Sequence, residues 1–147
     1  MLHTTRRCGL LLLLSLCGLC LTLTACSSKV LVSPQGGTLE QATTFTPPPG
    51  MTGIYLVREG GIVGAAVAWK YDLDLVPLAD LRPRNCVYAA VPPGDHYLRT
   101  TGMEKGLPIH AEAGKNYFFL VDVGSFSGGF ITLSDKQGQA YVNEYKK

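Results

Sequence analysis

Asp95 and His96 stand side by side after a Pro92-Pro93-Gly94 corner, and a second histidine, His110, follows with Glu112 two residues on. An aspartate that orients a histidine is two-thirds of a nucleophilic triad. Two histidines with Asp95 or Glu112 are enough side chains for a three-ligand metal site. Both chemistries need convergence. Neighbours on an extended segment point to opposite faces, so Asp95 is badly placed to orient His96, and no G-x-S-x-G elbow accompanies them. The corner itself reads as structural. Proline fixes φ, glycine permits φ > 0, and Asp95 can accept from a turn amide. His96 and His110 remain candidate metal or small-ligand residues only if their strands bring them together.

Other groups carry a chemical and a bland reading together. Arg58, Arg82, Arg84 and Arg99 suit an anionic ligand or a solvated surface. Trp69, Tyr71, Tyr88 and Tyr97 suit a sugar-stacking face or a core. Asp72, Asp74 and Asp80 form a glycosidase pair only across a cleft. Cys86 opens the apolar run CVYAAV and reads as a buried small hydrophobe rather than a reactive thiol. No coherent catalytic set emerges, so the expectation is a protein that is not an enzyme and needs no cofactor.

The elements that must position these residues are short strands separated by turn signals. They run from Ile54 to Arg58, through IVGAAVAWKYD and DLDLVPLADL, then CVYAAV, DHYLRTT, IHAE, NYFFLVDV and FITLS. Pro77 makes its strand an edge or ends it. NYFFLVDV is apolar on both faces, the mark of a central strand. Ser134 and Gln137 fit a capping box, which favours a short C-terminal helix with Ala140, Tyr141 and Tyr145 inward over the alternative, a last strand in QAYVNEY. Gly138 lowers its helix propensity by about 1 kcal/mol relative to alanine. The fold expected over 51–147 is an all-β sandwich of about seven strands. Residues 26–50 are rich in Ser, Thr, Gly, Pro and Gln and read as a flexible tether reaching about 25–30 Å. Val30-Leu31-Val32 is the one apolar patch there, and could add an edge strand.

Residues 1–25 read as a signal segment. Arg6 and Arg7 precede an apolar run from Leu10 to Leu23, the length of an h-region and short for a membrane span. The run ends in Leu23-Thr24-Ala25-Cys26, which resembles the lipobox of bacterial lipoproteins. The resemblance implies cleavage between Ala25 and Cys26 and lipidation of Cys26, a membrane anchor. Two or three acyl chains hold firmly, at roughly 0.8 kcal/mol for each buried methylene. In enteric-type lipoproteins an aspartate after the cysteine favours the inner membrane. Ser27 stands there instead, which implies the outer membrane, facing the periplasm. Cys8, Cys17 and Cys20 leave with the signal, so Cys86 has no intrachain disulfide partner.

Loss of Arg6 and Arg7 leaves eleven basic against eleven acidic residues. That balance lacks the electrostatic footprint of nucleic-acid binding. Three motifs in order, Ile54-Tyr55-Leu56-Val57-Arg58, Pro92-Pro93-Gly94-Asp95-His96 and Ala113-Gly114-Lys115-Asn116-Tyr117-Phe118, resemble a family of small bacterial lipoprotein domains known only as a domain of unknown function. The family implies an immunoglobulin-like or transthyretin-like sandwich and no particular activity. The expected role is a non-catalytic module that docks an envelope protein or peptidoglycan. A metal- or ligand-binding module using His96 and His110 is the alternative.

Overall fold

The computed structural model describes residues 29–61, 70–100, 106–122 and 129–147. The expected signal segment, Ala25, Cys26 and most of the IVGAAVAWKYD strand lie outside the described residues.

Nine strands and two helices are described. In chain order they are β1 (Lys29–Val32), α1 (Leu39–Thr44), β2 (Thr52–Arg58), β3 (Tyr71–Leu73), β4 (Val76–Pro77) and β5 (Asn85–Val91). Then come β6 (Gly94–Thr100), β7 (Leu107–Ala111), β8 (Asn116–Asp122), β9 (Gly129–Leu133) and α2 (Asp135–Tyr145). One sheet has the order β1-β5-β2-β8-β9 and the other β4-β3-β6-β7. The protein is an all-β sandwich with a short C-terminal helix.

Alternation along the central strands explains the layers. Ile54, Leu56, Val87, Ala89, Phe119 and Val121 face the second sheet, where Tyr71, Leu73, Leu98 and Ile109 meet them. Tyr55, Val57, Cys86, Tyr88 and Phe118 face the other way and are covered by Ala42 of α1 and by Val142 and Tyr145 of α2. β2 and β5 are buried along their whole length because both faces are covered and both edges paired.

The flexible tether expected over 26–50 is corrected from Lys29 onward. β1 pairs in parallel with β5, Lys29 opposite Asn85 and Val32 opposite Tyr88, and forms the edge of the larger sheet. The Gln35 amide donates to the Leu73 carbonyl across to the second sheet at 2.5 Å. α1 opens with a capping box: Thr38 Oγ1 accepts from the Gln41 N–H, and the Gln41 side chain accepts from the Thr38 N–H. It ends in Phe45, whose left-handed φ of 58° swings the ring onto Tyr55 and Phe118. Burial of Ala42 and Phe45 holds a helix too short to stand alone.

Two further expectations are revised. Asp72 to Leu75 does not run on as one alternating strand. Asp74 and Leu75, at φ 53° and 69°, form the two-residue turn of a β3–β4 hairpin, which leaves Leu75 70% exposed. Pro77 lies on β4, the edge, as its missing N–H requires. In α2 the inward residues are Gly138, Val142 and Tyr145, and Ala140 is exposed. The Ser134 N–H does donate to Gln137 Oε1, at 3.1 Å.

Candidate functional site

Asp95 and His96 diverge, as strand alternation requires. The β6–β7 register sets Asp95 opposite His110 and His96 opposite Ile109. Directly opposed residues share a face. His96 therefore lies on the core side with Ile109, and His110 lies on the open side with Asp95. The proposed pairing of His96 with His110 does not form, because one residue of offset sends the two rings to opposite faces. Among the described residues no group of three or more His, Cys, Asp or Glu could hold a metal ion.

Each histidine has its own aspartate. His96, with a side chain only 10% exposed, places Nδ1 2.6 Å from Asp74 Oδ2 and Nε2 2.8 Å from the Pro92 carbonyl. A carbonyl only accepts, so Nε2 carries a hydrogen there. With both nitrogens engaged, neither is open to a metal or a substrate proton. Asp74 also accepts from the Tyr97 N–H through Oδ1 at 2.8 Å, and its own N–H donates to the Tyr97 carbonyl. One carboxylate in the hairpin turn thus continues the β3–β6 pairing past the end of β3 and ties the Pro-Pro-Gly corner to it.

Asp95 and His110 form a cross-strand pair, Oδ1 to Nδ1 at 2.6 Å, on the open face. The geometry is that of an orienting carboxylate and a base, but the side chains are 89% and 78% exposed. Water competes for every such contact. The hydrogen bond to Asp95, with its charge, raises the His110 pKa above its ordinary 6.5. A raised folded pKa adds stability that is present below the unfolded value and lost as pH rises through the folded one. For so exposed a pair the effect on folding is small, but the titration is directly visible. In a proton-NMR titration, His110 should titrate above the free-histidine value in the wild type and move down toward it in Asp95→Asn.

The arginines do not converge either. Arg58 is not a solvated charge: it is 2% exposed, with Nη1 donating to the Leu81 carbonyl at 2.8 Å. Arg99 lies 3.5 Å from the buried Asp72, and Arg84 pairs with Glu144 at 2.9 Å. Of the aromatic set, Tyr71 and Tyr88 belong to different cores, Tyr97 is exposed and Trp69 lies outside the described residues. Cys86 is fully buried, and burial pushes its thiol pKa up, away from the reactive thiolate.

Two surface features lie outside the sequence-based expectations. Leu75 and Val76, at the turn and second strand of the β3–β4 hairpin, and Tyr97 on the outer face of β6 are apolar side chains each at least 40% exposed. Leu75 adopts a left-handed conformation that costs a non-glycine residue roughly 1–2 kcal/mol. A shallow groove between β8, β9 and α2 is lined by Leu120, Ile131, Leu133 and Tyr141, with the Tyr141 hydroxyl hydrogen-bonded to Glu59 at one end. Neither shows in the sequence, because each depends on where a turn or a helix falls.

No family model and no curated protein matches the chain. Among solved structures, it is similar to the N-terminal domain of AlgF from P. aeruginosa, at 15% identity and a TM-score of 0.44, over 59% of this chain and 98% of that one.

Proposed function

We propose that the protein is a lipid-anchored envelope protein of the outer membrane, facing the periplasm, whose sandwich is a non-catalytic docking module. The observation that carries this reading is the Leu23-Thr24-Ala25-Cys26 segment, placed three residues ahead of the first strand. Among the described residues no helix is long and apolar enough to cross a membrane, so the anchor in this reading is the acylated Cys26. A docking role is favoured over a chemical one by the engagement of both His96 nitrogens and by the open setting of Asp95 and His110. The partner, an envelope protein or peptidoglycan, meets the exposed apolar residues of the β3–β4 hairpin, Leu75 and Val76. That hairpin turns at the end of the sandwich away from Lys29, and so away from the membrane.

Cys26→Ala is the direct test. The wild type should take up labelled fatty acid and sediment with membranes, and the variant should do neither. Membrane retention of Cys26→Ala with no label in the wild type would sink the anchor. In-cell crosslinking tests the docking half: a specific partner should be captured by the wild type and lost in Leu75→Asp.

A further inference from the structure

The distance from Cys26 to the fold bears on how the domain sits. Three residue steps separate Cys26 from Lys29, and an extended chain spans at most about 3.6 Å per residue. Lys29 therefore lies within about 11 Å of an acylated cysteine, well short of the reach that a free 26–50 segment would have. An anchored sandwich would be held against the bilayer by the end where β1 begins.

That end is defined by its hydrogen bonds and pairings. The Lys29 N–H donates to the Arg84 carbonyl, and Lys29 pairs with Asn85, which also pairs with Arg58 at the end of β2. The Tyr145 hydroxyl donates to the Arg58 carbonyl, and Arg84 pairs with Glu144, so α2 finishes at the same place and sets Lys146 and Lys147 there. The Leu81 carbonyl, held by Arg58, brings Arg82 alongside, and Lys70 precedes Tyr71, which pairs with Thr100 at this end of the second sheet.

The charges at this end are unevenly matched. Of the acids there, Glu144 is taken by Arg84, Glu59 by Tyr141 and Asp72 by Arg99, and Asp80, beside Leu81, and Asp122, at the end of β8, lie at the same end. Lys29, Lys70, Arg82, Lys146 and Lys147 are exposed and make no ion pair among the described residues. The opposite end has the reverse balance: Glu40, Asp74, Asp95, Glu112 and Asp135 against Lys115 and Lys136. From Cys26 onward basic and acidic residues balance, eleven against eleven, but the chain is polarised along the strand direction, with its cationic excess at the anchor end.

We propose that the cationic Lys29 end docks onto anionic lipid headgroups of the anchoring membrane and turns the β3–β4 hairpin outward. This rests on the anchoring reading above. Each cation near an anionic bilayer surface contributes roughly a fivefold preference, which falls off within a Debye length of about 8–10 Å at physiological salt. The short connection keeps these side chains inside that range.

The test uses the lipidated chain, extracted from membranes of expressing cells and reconstituted into two kinds of vesicle. One is phosphatidylcholine alone, and the other contains about one-third phosphatidylglycerol, enough to charge the surface. Each lysine is then acetylated with a water-soluble reagent and its rate read by mass spectrometry. On the anionic vesicles Lys29, Lys70, Lys146 and Lys147 should react roughly fivefold more slowly than on the neutral ones. Lys115 and Lys136 should not change, and 0.5 M salt should erase the difference, because the Debye length falls to about 4 Å. A double variant, Arg82→Glu with Lys146→Glu, should lose much of the protection at Lys29, while Lys115→Glu with Lys136→Glu should keep it. Equal rates on both vesicles, or slowing at Lys115 and Lys136, would overturn the docking. Flotation separates the two readings. A chain that floats with both vesicles but shows no footprint is anchored and undocked. A chain that floats with neither refutes the anchor, and the docking falls with it.

Discussion

A chain that begins at Met51 is expected not to fold. Read as a tether, residues 26–50 could be removed at no cost to stability. The structure builds residues 29–50 into one core layer. Deletion uncovers Tyr55 and Tyr88, both 0% exposed in the intact protein, and removes Ala42 and Phe45 outright. It also strips β1 from β5, leaving the N–H and C=O groups of a fully buried strand without partners along one edge. The Tyr55 hydroxyl loses its acceptor, the Ala42 carbonyl at 3.1 Å, and the Asn116 amide loses the Phe45 carbonyl at 2.8 Å. Re-exposing a large apolar side chain costs roughly 1.5–3 kcal/mol, and a buried polar group left unpaired costs about 1–3 kcal/mol more. Several such losses together reach the 5–15 kcal/mol that holds a domain of this size. Urea denaturation of the two chains decides it. The chain from Ser27 should show one cooperative transition, and the chain from Met51 none. Matching midpoints would restore the tether.

That result turns on what the sequence could and could not show. Local patterns were reliable wherever one segment carried the whole signal. NYFFLVDV is apolar on both faces and lies between β2 and β9, and Pro77 lies on an edge. Val30 to Val32 forms the edge strand its apolar run allowed. Ser134 and Gln137 do open a helix. The same S/T-x-x-Q spacing stands at Thr38 and Gln41, and there it was the signal that α1 begins. It is obscured by surrounding Gly and Pro, and by a helix of six residues whose stability comes from Tyr55, Phe118 and Tyr88 far along the chain. The candidate site was half legible for a related reason. Alternation showed that Asp95 and His96 part company. Which aspartate each histidine meets depends on the β6–β7 register and on the hairpin turn at Asp74. Those are pairings between segments, and no single segment encodes them.

Gly138→Ala should destabilise the protein, against the helix propensity of both residues. In an isolated helix the change gains about 1 kcal/mol. Here α2 crosses the larger sheet with Gly138 directly on Phe118, and a Cβ at that position would stand far inside van der Waals contact with Phe118 Cγ, Cδ1 and Cβ. The ring cannot swing aside. It stacks on Tyr55 with centroids 4.5 Å apart and meets Phe45 edge-on at 6.3 Å, and Phe118 is only 1% exposed. Relief must come from lifting the helix, which also loosens Val142 and Tyr145. Overpacking of this kind costs typically about 1–3 kcal/mol for added methyl-sized groups; set against the gain of about 1 kcal/mol, alanine should lower stability by up to about 2 kcal/mol net and leucine by more. Chemical denaturation reads the loss, and the double variant with Phe118→Leu identifies its cause. If the clash is with the ring, Phe118→Leu alone destabilises by opening space, yet in its presence Gly138→Ala becomes neutral or favourable. Such coupling is what a double-mutant cycle isolates. A Gly138→Ala chain more stable than the wild type would show that α2 does not sit on Phe118, and with it the covered layer that holds Tyr55, Cys86 and Tyr88 would be wrong.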